Sequence, residues 1–195
     1  PFEDIGVLRS IPTIVIVEVA DPEQLRQAVP AIIRHNGPVY LRMARKEQPA
    51  VFDSSYHFDL FKADLLREGS DVTILATGLL LSRALEAAEL LENEGIRAEV
   101  INVHTIKPLD QKTILASVKK TGCVVTAENH NVIGGLYSAV SELLAANQPA
   151  PIERVGIEDE FGEVGNLAAL SKRYHLNAED IVNKAKFAVG TKEKE

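Results

Sequence analysis

Hydrophobic positions follow one rhythm up to about residue 43 and another from about residue 71, and the gap between them divides the chain. Ile5, Leu8 and Ile11 recur at helical spacing from Glu3, with Glu3 and Asp4 where a helix dipole favours anions and Pro12 as the stop. Thr13 to Val19, TIVIVEV, is β-branched and almost wholly apolar, as a strand covered on both faces is. Asp21-Pro22 supplies an N-cap followed by proline at the first helical position. The helix it opens reaches about Arg34, with Leu25, Val29, Ile32 and Ile33 on one face, and Pro30 inside it is expected to kink or split it. Gly37-Pro38 ends it, and Pro38 to Met43 is a second strand. From Ala44 to about Lys62 periodicity is lost. Gln48-Pro49 and Asp53-Ser54-Ser55 predict a surface loop, with at most one short strand, and a domain boundary is placed there.

The second pattern is regular. Strands are predicted at Asp71 to Ala76, Arg97 to Val103, Cys123 to Ala127 and Ile152 to Ile157. Helices alternate with them at Leu80 to Glu94, Asp110 to Lys120 and after Gly135, and two more follow near Leu167 to Tyr174 and Ala178 to Phe187. Alternating strands and helices with short loops specify an α/β fold with a mostly parallel sheet covered on both faces. Residues 1–62 hold two strands and two helices, too few to close a core, and are expected to be the back end of a larger α/β domain. Residues 63–195 form a complete open-sheet domain. His104 to Leu109 is expected to be a rigid loop, and the charged tail Thr191 to Glu195 to fray.

Composition narrows the classes. The chain has 195 residues, 46% hydrophobic and 25% charged, with a net charge of −7 and no basic stripe, which argues against a nucleic-acid partner. No apolar run approaches the roughly 20 residues that span a bilayer. The single cysteine, Cys123, excludes an intramolecular disulfide framework and fits a reducing cytoplasm. The chain opens on Pro1 in already patterned sequence, and is expected to be a piece of a longer polypeptide.

Candidate chemistry gathers in CVVTAENHNVIGGL, Cys123 to Leu136, where a strand meets a polar turn and a glycine pair opens a helix. Ligands meet open α/β sheets at such strand ends. Glu128 and His130 are the acid/base candidates there; equally, Glu128 or Asn129 caps the next helix and His130 lies on the surface. Gly134-Gly135 marks a close approach of two backbones. Arg42 and Arg45 flank a strand end, where a guanidinium suits a phosphate or carboxylate or else is simply solvated. His35, His57, His104, His130 and His175 show no ligand spacing, and no zinc, P-loop or GxGxxG motif occurs. Cys123 fits a small core residue and Ser138 an ordinary helix residue. These residues alone do not specify a reaction.

EDIGVLRSIPTIVIVEVADPEQLRQAV, GPVYLRMAR, DVTILATGLLLSRALEAAELLENEGIRAEVINVHTIKPLD and VVTAENHNVIGGLYSAV, with the ending RVGIEDEFGEVGNLAALSKRYHLNAEDIV, resemble the C-terminal half of transketolase. They are most similar to the C-terminal subunit found where transketolase is split into two chains. The resemblance implies that residues 1–62 are the end of a pyrimidine-binding domain and that 63–195 are the transketolase-type C-terminal domain. It implies a thiamine diphosphate and Mg²⁺ enzyme transferring a two-carbon ketol unit between sugar phosphates. The family's Gly-Asp-Gly diphosphate signature is missing here, and its activating glutamate falls upstream of Pro1. No catalytic residue and no cofactor are therefore expected on this chain alone. The implied partners are an N-terminal subunit carrying the diphosphate site and a homodimer mate. Arg45 falls at the family's sugar-phosphate arginine, and Glu128, His130, Gly134 and Gly135 at an interface or supporting loop. The alternatives are a 1-deoxyxylulose-5-phosphate synthase, a 2-oxoacid dehydrogenase β subunit, or a non-catalytic dimerisation or regulatory module.

Overall fold

The computed structural model describes residues 2–46 and 48–192. The first helix, α1 (Asp4–Arg9), precedes strand β1 (Val15–Glu18), helix α2 (Pro22–Arg34) and strand β2 (Val39–Arg42). After the long loop come β3 (Asp64–Arg67), β4 (Val72–Ala76), α3 (Leu81–Asn93), β5 (Ala98–Asn102), β6 (Thr105–Lys107) and α4 (Gln111–Thr121). The chain continues through β7 (Val124–Asn131), α5 (Leu136–Asn147), β8 (Ile152–Ile157), α6 (Leu167–Arg173) and α7 (Ala178–Lys192). The strands make two sheets, one ordered β2-β1-β6 and one ordered β3-β5-β4-β7-β8. In the larger sheet β5, β4, β7 and β8 are parallel and β3 is an antiparallel edge, so the fold is the α/β, mostly parallel architecture that the alternation predicts.

Burial follows the pattern that forms the elements. One face of the larger sheet packs Ile74, Val100 and Val125 with Leu81 and Leu91 of α3 and Ile181 of α7. The other packs Leu75, Ile101 and Val124 with Ile114 of α4 and Leu136 and Val140 of α5. In the smaller sheet Val15 and Val17 meet Ala28 of α2, while Ile16 meets Ile5 of α1 and Ala139 of α5. Because α5 covers both sheets, the carboxyl ends of β1, β2 and β7 come together.

Five expectations are corrected. Helix α2 is one helix from Pro22 to Arg34 despite Pro30, which sits on its exposed side where a carbonyl left without its amide can take water. Thr105–Lys107 is not loop but strand β6, paired antiparallel with β1 and thereby joining the smaller sheet. Asp64–Arg67 is a strand that periodicity misses, because a half-exposed four-residue edge has no apolar face to alternate. Glu128–Asn131 is not a surface turn: β7 runs through it and all but Asn129 are buried. Thr191 and Lys192 continue α7, and Lys192 Nζ donates to the carbonyls of Asp71 (2.8 Å) and Thr121 (2.9 Å); the rest of the predicted fraying tail, 193–195, lies outside the described residues. No strand forms between residues 48 and 62.

Candidate functional site

The register of the smaller sheet sets the site. Glu18, the lone carboxylate of the apolar β1 run, is the direct cross-strand partner of Arg42 at the end of β2. Glu18 is buried, and an ionised group there needs a counter-charge. Arg42 supplies it. Its Nη1 donates to Glu18 Oε1, its Nε to Asp4 Oδ2 of α1 (3.0 Å) and its Nη2 to the Asn129 carbonyl of β7 (2.9 Å). Tyr40 OH donates to the same Asp4 Oδ2 at 2.7 Å. One guanidinium thus ties α1, β1, β2 and the end of β7.

Charge states follow from this packing. Burial alone would lower the Arg42 pKa, but the Glu18 and Asp4 carboxylates hold it above the ordinary range. Burial pushes the Glu18 carboxyl up, and Arg42 acts against it. Asp4 stays below its usual value despite burial, because Tyr40 and Arg42 stabilise its charged form.

Glu128 and His130 lie beneath this cluster. Glu128 Oε2 accepts the Leu136 amide at 2.6 Å and Oε1 the Tyr137 amide at 2.8 Å, so Glu128 caps α5 from inside the protein. His130 is fully buried, which removes the surface placement. Its Nδ1 lies 2.6 Å from the Asn131 carbonyl, an acceptor, and its Nε2 accepts the Gly6 amide at 3.2 Å. These two bonds fix a neutral ring with the proton on Nδ1. Burial depresses the His130 pKa, in keeping with that state. Gly134, at φ +83°, leaves no room for a side chain: a Cβ would stand 2.7 Å from Gly6 Cα. At Gly135 a Cβ would stand 2.0 Å from Glu128 Oε2. The glycine pair therefore lets α1 and the Glu128 carboxyl approach the start of α5.

Burial pushes the Glu128 carboxyl up to about 8, although two backbone amides oppose the shift. The native state then holds a proton that the unfolded chain releases near its ordinary value of 4.5, so stability falls as pH rises between those values. The depressed pKa values of His130 and His104 act with the opposite sign, but only below about 6.5. Between pH 6.5 and 8 we expect unfolding free energy to drop by on the order of 1–2 kcal/mol. Glu128→Gln should flatten that slope in urea titrations, and an unchanged slope would place the proton elsewhere.

Above the cluster opens a cleft of about 370 Å³, lined by Asp4, Glu18, Tyr40, Arg42, Arg45, Leu79 and Asn129 among others. Arg45 is exposed on its rim, three residues past the end of β2, and makes no ion pair among the described residues. Sequence patterns pointed to Arg42, Arg45, Glu128 and His130. The fold brings Arg42 and Arg45 onto one cleft and sets Glu128 and His130 behind it. The patterns missed Asp4, Glu18, Tyr40 and Asn129. The one sign available was a single carboxylate inside TIVIVEV, since a charge in a buried strand requires a partner.

Comparison with known proteins adds the family context. The family model described as "Transketolase, C-terminal domain" matches residues 61–181. The chain is 51% identical over 184 residues to the 6-deoxy-6-sulfo-D-fructose transketolase subunit SqwH of Clostridium sp. (strain MSTE9), covering 94% of this chain and 57% of that relative. It is 37% identical over 186 residues to the 1-deoxy-D-xylulose-5-phosphate synthase of Heliobacterium modesticaldum (strain ATCC 51547 / Ice1), covering 94% of this chain and 29% of that protein. Among solved structures, a split-gene transketolase described as an inactive beta4 tetramer superposes with a TM-score of 0.93 at 41% identity, covering 98% of this chain and 62% of that one. The chain spans little more than half the length of several curated relatives that it matches.

Proposed function

The chain belongs to the transketolase C-terminal domain family, and from that premise we propose that it is the C-terminal part of a thiamine-diphosphate-dependent transketolase. It serves transfer of a two-carbon ketol unit between sugar phosphates, or sugars ending in a comparable anion. Residues 1–62 act as the back end of the pyrimidine-binding domain and 63–195 as the C-terminal domain. Glu128, His130, Gly134 and Gly135 form the seam between them and support the site from behind.

The observation that carries this reading is Arg45. A guanidinium without an ion pair among the described residues, on the rim of a cleft at strand carboxyl ends, suits the terminal anion of a sugar. In the assembled enzyme, Arg45→Ala should raise the KM for anion-terminated donors with kcat less affected, a loss of about 1.5–3 kcal/mol. An unchanged KM would return Arg45 to the solvated surface.

When bound, thiamine diphosphate supplies the carbanion chemistry. Among the described residues no three His, Cys, Asp or Glu side chains gather to hold a metal. The Gly-Asp-Gly diphosphate signature is missing from the sequence, and we assign the ligands of the Mg²⁺-diphosphate to an N-terminal subunit. Calorimetric titration of residues 1–195 with thiamine diphosphate and Mg²⁺ should show no micromolar binding; such binding would contradict the division of labour. The similarity to a 1-deoxy-D-xylulose-5-phosphate synthase favours a second reading. Turnover of a ketose phosphate as donor would decide for transketolase.

A further inference from the structure

Arg45 stands between two anchors. Before it, the chain is held at Arg42, whose side chain meets Asp4 and Glu18 and whose carbonyl accepts the Val19 amide at 3.2 Å. After it, the chain is held at Val51 and Phe52, whose amides both donate to Asp21 Oδ2 at 2.8 Å. The other oxygen of that carboxyl, Oδ1, accepts the Gln24 amide at 2.8 Å and caps α2. Asp21 is buried, so water does not take over these bonds when they break. Gln24 extends the hold: its Nε2 donates to Tyr56 OH at 2.9 Å, and Tyr56 OH donates to Asp64 Oδ2 at 2.8 Å. Asp21 and Arg45 line one recess beside the cleft.

We infer that Asp21 is a positioning residue for Arg45, an inference that rests on the role proposed for that arginine. One carboxyl oxygen serves the helix and the other serves the chain that returns from Arg45, so the start of α2 helps to fix where the guanidinium stands. Asp-Pro in the sequence announces only the first duty, the cap. Without Oδ2 the Val51 and Phe52 amides lose their acceptor. Ordering Arg45 then falls to the ligand, at a cost in binding. Electrostatics alone acts with the opposite sign, because removing a carboxylate from the recess that Arg45 lines favours an anion. A rise in KM therefore reports position and not charge.

The test uses the full-length enzyme assembled with its N-terminal subunit, with a ketose phosphate as donor and an aldose acceptor. Asp21→Ser is the informative variant, because serine still caps α2 but has no second oxygen for the Val51 and Phe52 amides. It should raise the donor KM about five-fold and leave kcat within about two-fold. Made together with Arg45→Ala, the same change should move KM by less than about 1.5-fold, since the residue it positions is gone. Asp21→Asn keeps the volume and one oxygen, and should shift KM in the same direction as serine. An unchanged or lowered KM in both Asp21 variants, or an equal rise with and without Arg45, would overturn the positioning role. If Arg45→Ala alone still raised KM in that case, the reading of Arg45 would stand. A KM insensitive to Arg45→Ala would overturn that reading and this inference with it.

Discussion

Gly135→Ala is expected to lower the unfolding free energy by about 3–5 kcal/mol, a large part of the stability of a typical domain. The added Cβ would lie 2.0 Å from Glu128 Oε2 and 2.7 Å from His130 Nδ1. Neither group can yield freely. Both Glu128 oxygens are held by α5 amides, and His130 is bonded at both ring nitrogens. The substitution must displace the carboxyl and leave helix amides unpaired, or else move α5 away from both sheets. Gly190→Ala is the control, because nothing lies within 4 Å of its Cβ position in α7. Alanine there should be neutral or raise stability by up to about 1 kcal/mol through helix propensity. Urea unfolding of the two variants gives the comparison, and equal midpoints would contradict the packing described.

Arg42→Ala should cost a similar amount, about 3–5 kcal/mol, because it leaves buried carboxylates without their cation. The Arg42 and Glu18 side chains are only 11% and 4% exposed, so solvent cannot replace the lost partner well. Adding Glu18→Gln to Arg42→Ala should recover part of the loss, since the second change removes the orphaned charge. Arg42→Lys should fall between wild type and alanine, keeping the charge but not the planar fork that reaches Asp4, Glu18 and Asn129 together. An Arg42→Ala variant within 0.5 kcal/mol of wild type would show that the triad contributes nothing net.

Much of the fold was legible because long elements carry long patterns. TIVIVEV, the Leu81–Asn93 stripe and the alternation from Asp71 onward leave little freedom of assignment. The failures are local in cause. Three-residue β6 is too short for a period, and only its pairing with β1 makes it a strand. Glu128–Asn131 looked like a turn because its side chains are polar, yet those of Glu128, His130 and Asn131 find partners inside the protein, which composition does not reveal. The site was legible only in fragments. Asp4, Glu18, Arg42 and Asn129 are distant in sequence, and their meeting follows from strand register and from α5 covering two sheets, neither of which a single-sequence pattern records. Arg45 could be singled out because strand ends and guanidinium chemistry are both readable in one dimension.

The most direct test of the central claim is a two-carbon transfer assay with an anion-terminated ketose donor and an aldose acceptor, in the presence of thiamine diphosphate and Mg²⁺. The full-length polypeptide should turn over only when combined with an N-terminal subunit carrying the diphosphate site, and residues 1–195 alone should not. Transfer by residues 1–195 alone, or none by the full assembly, would contradict the account.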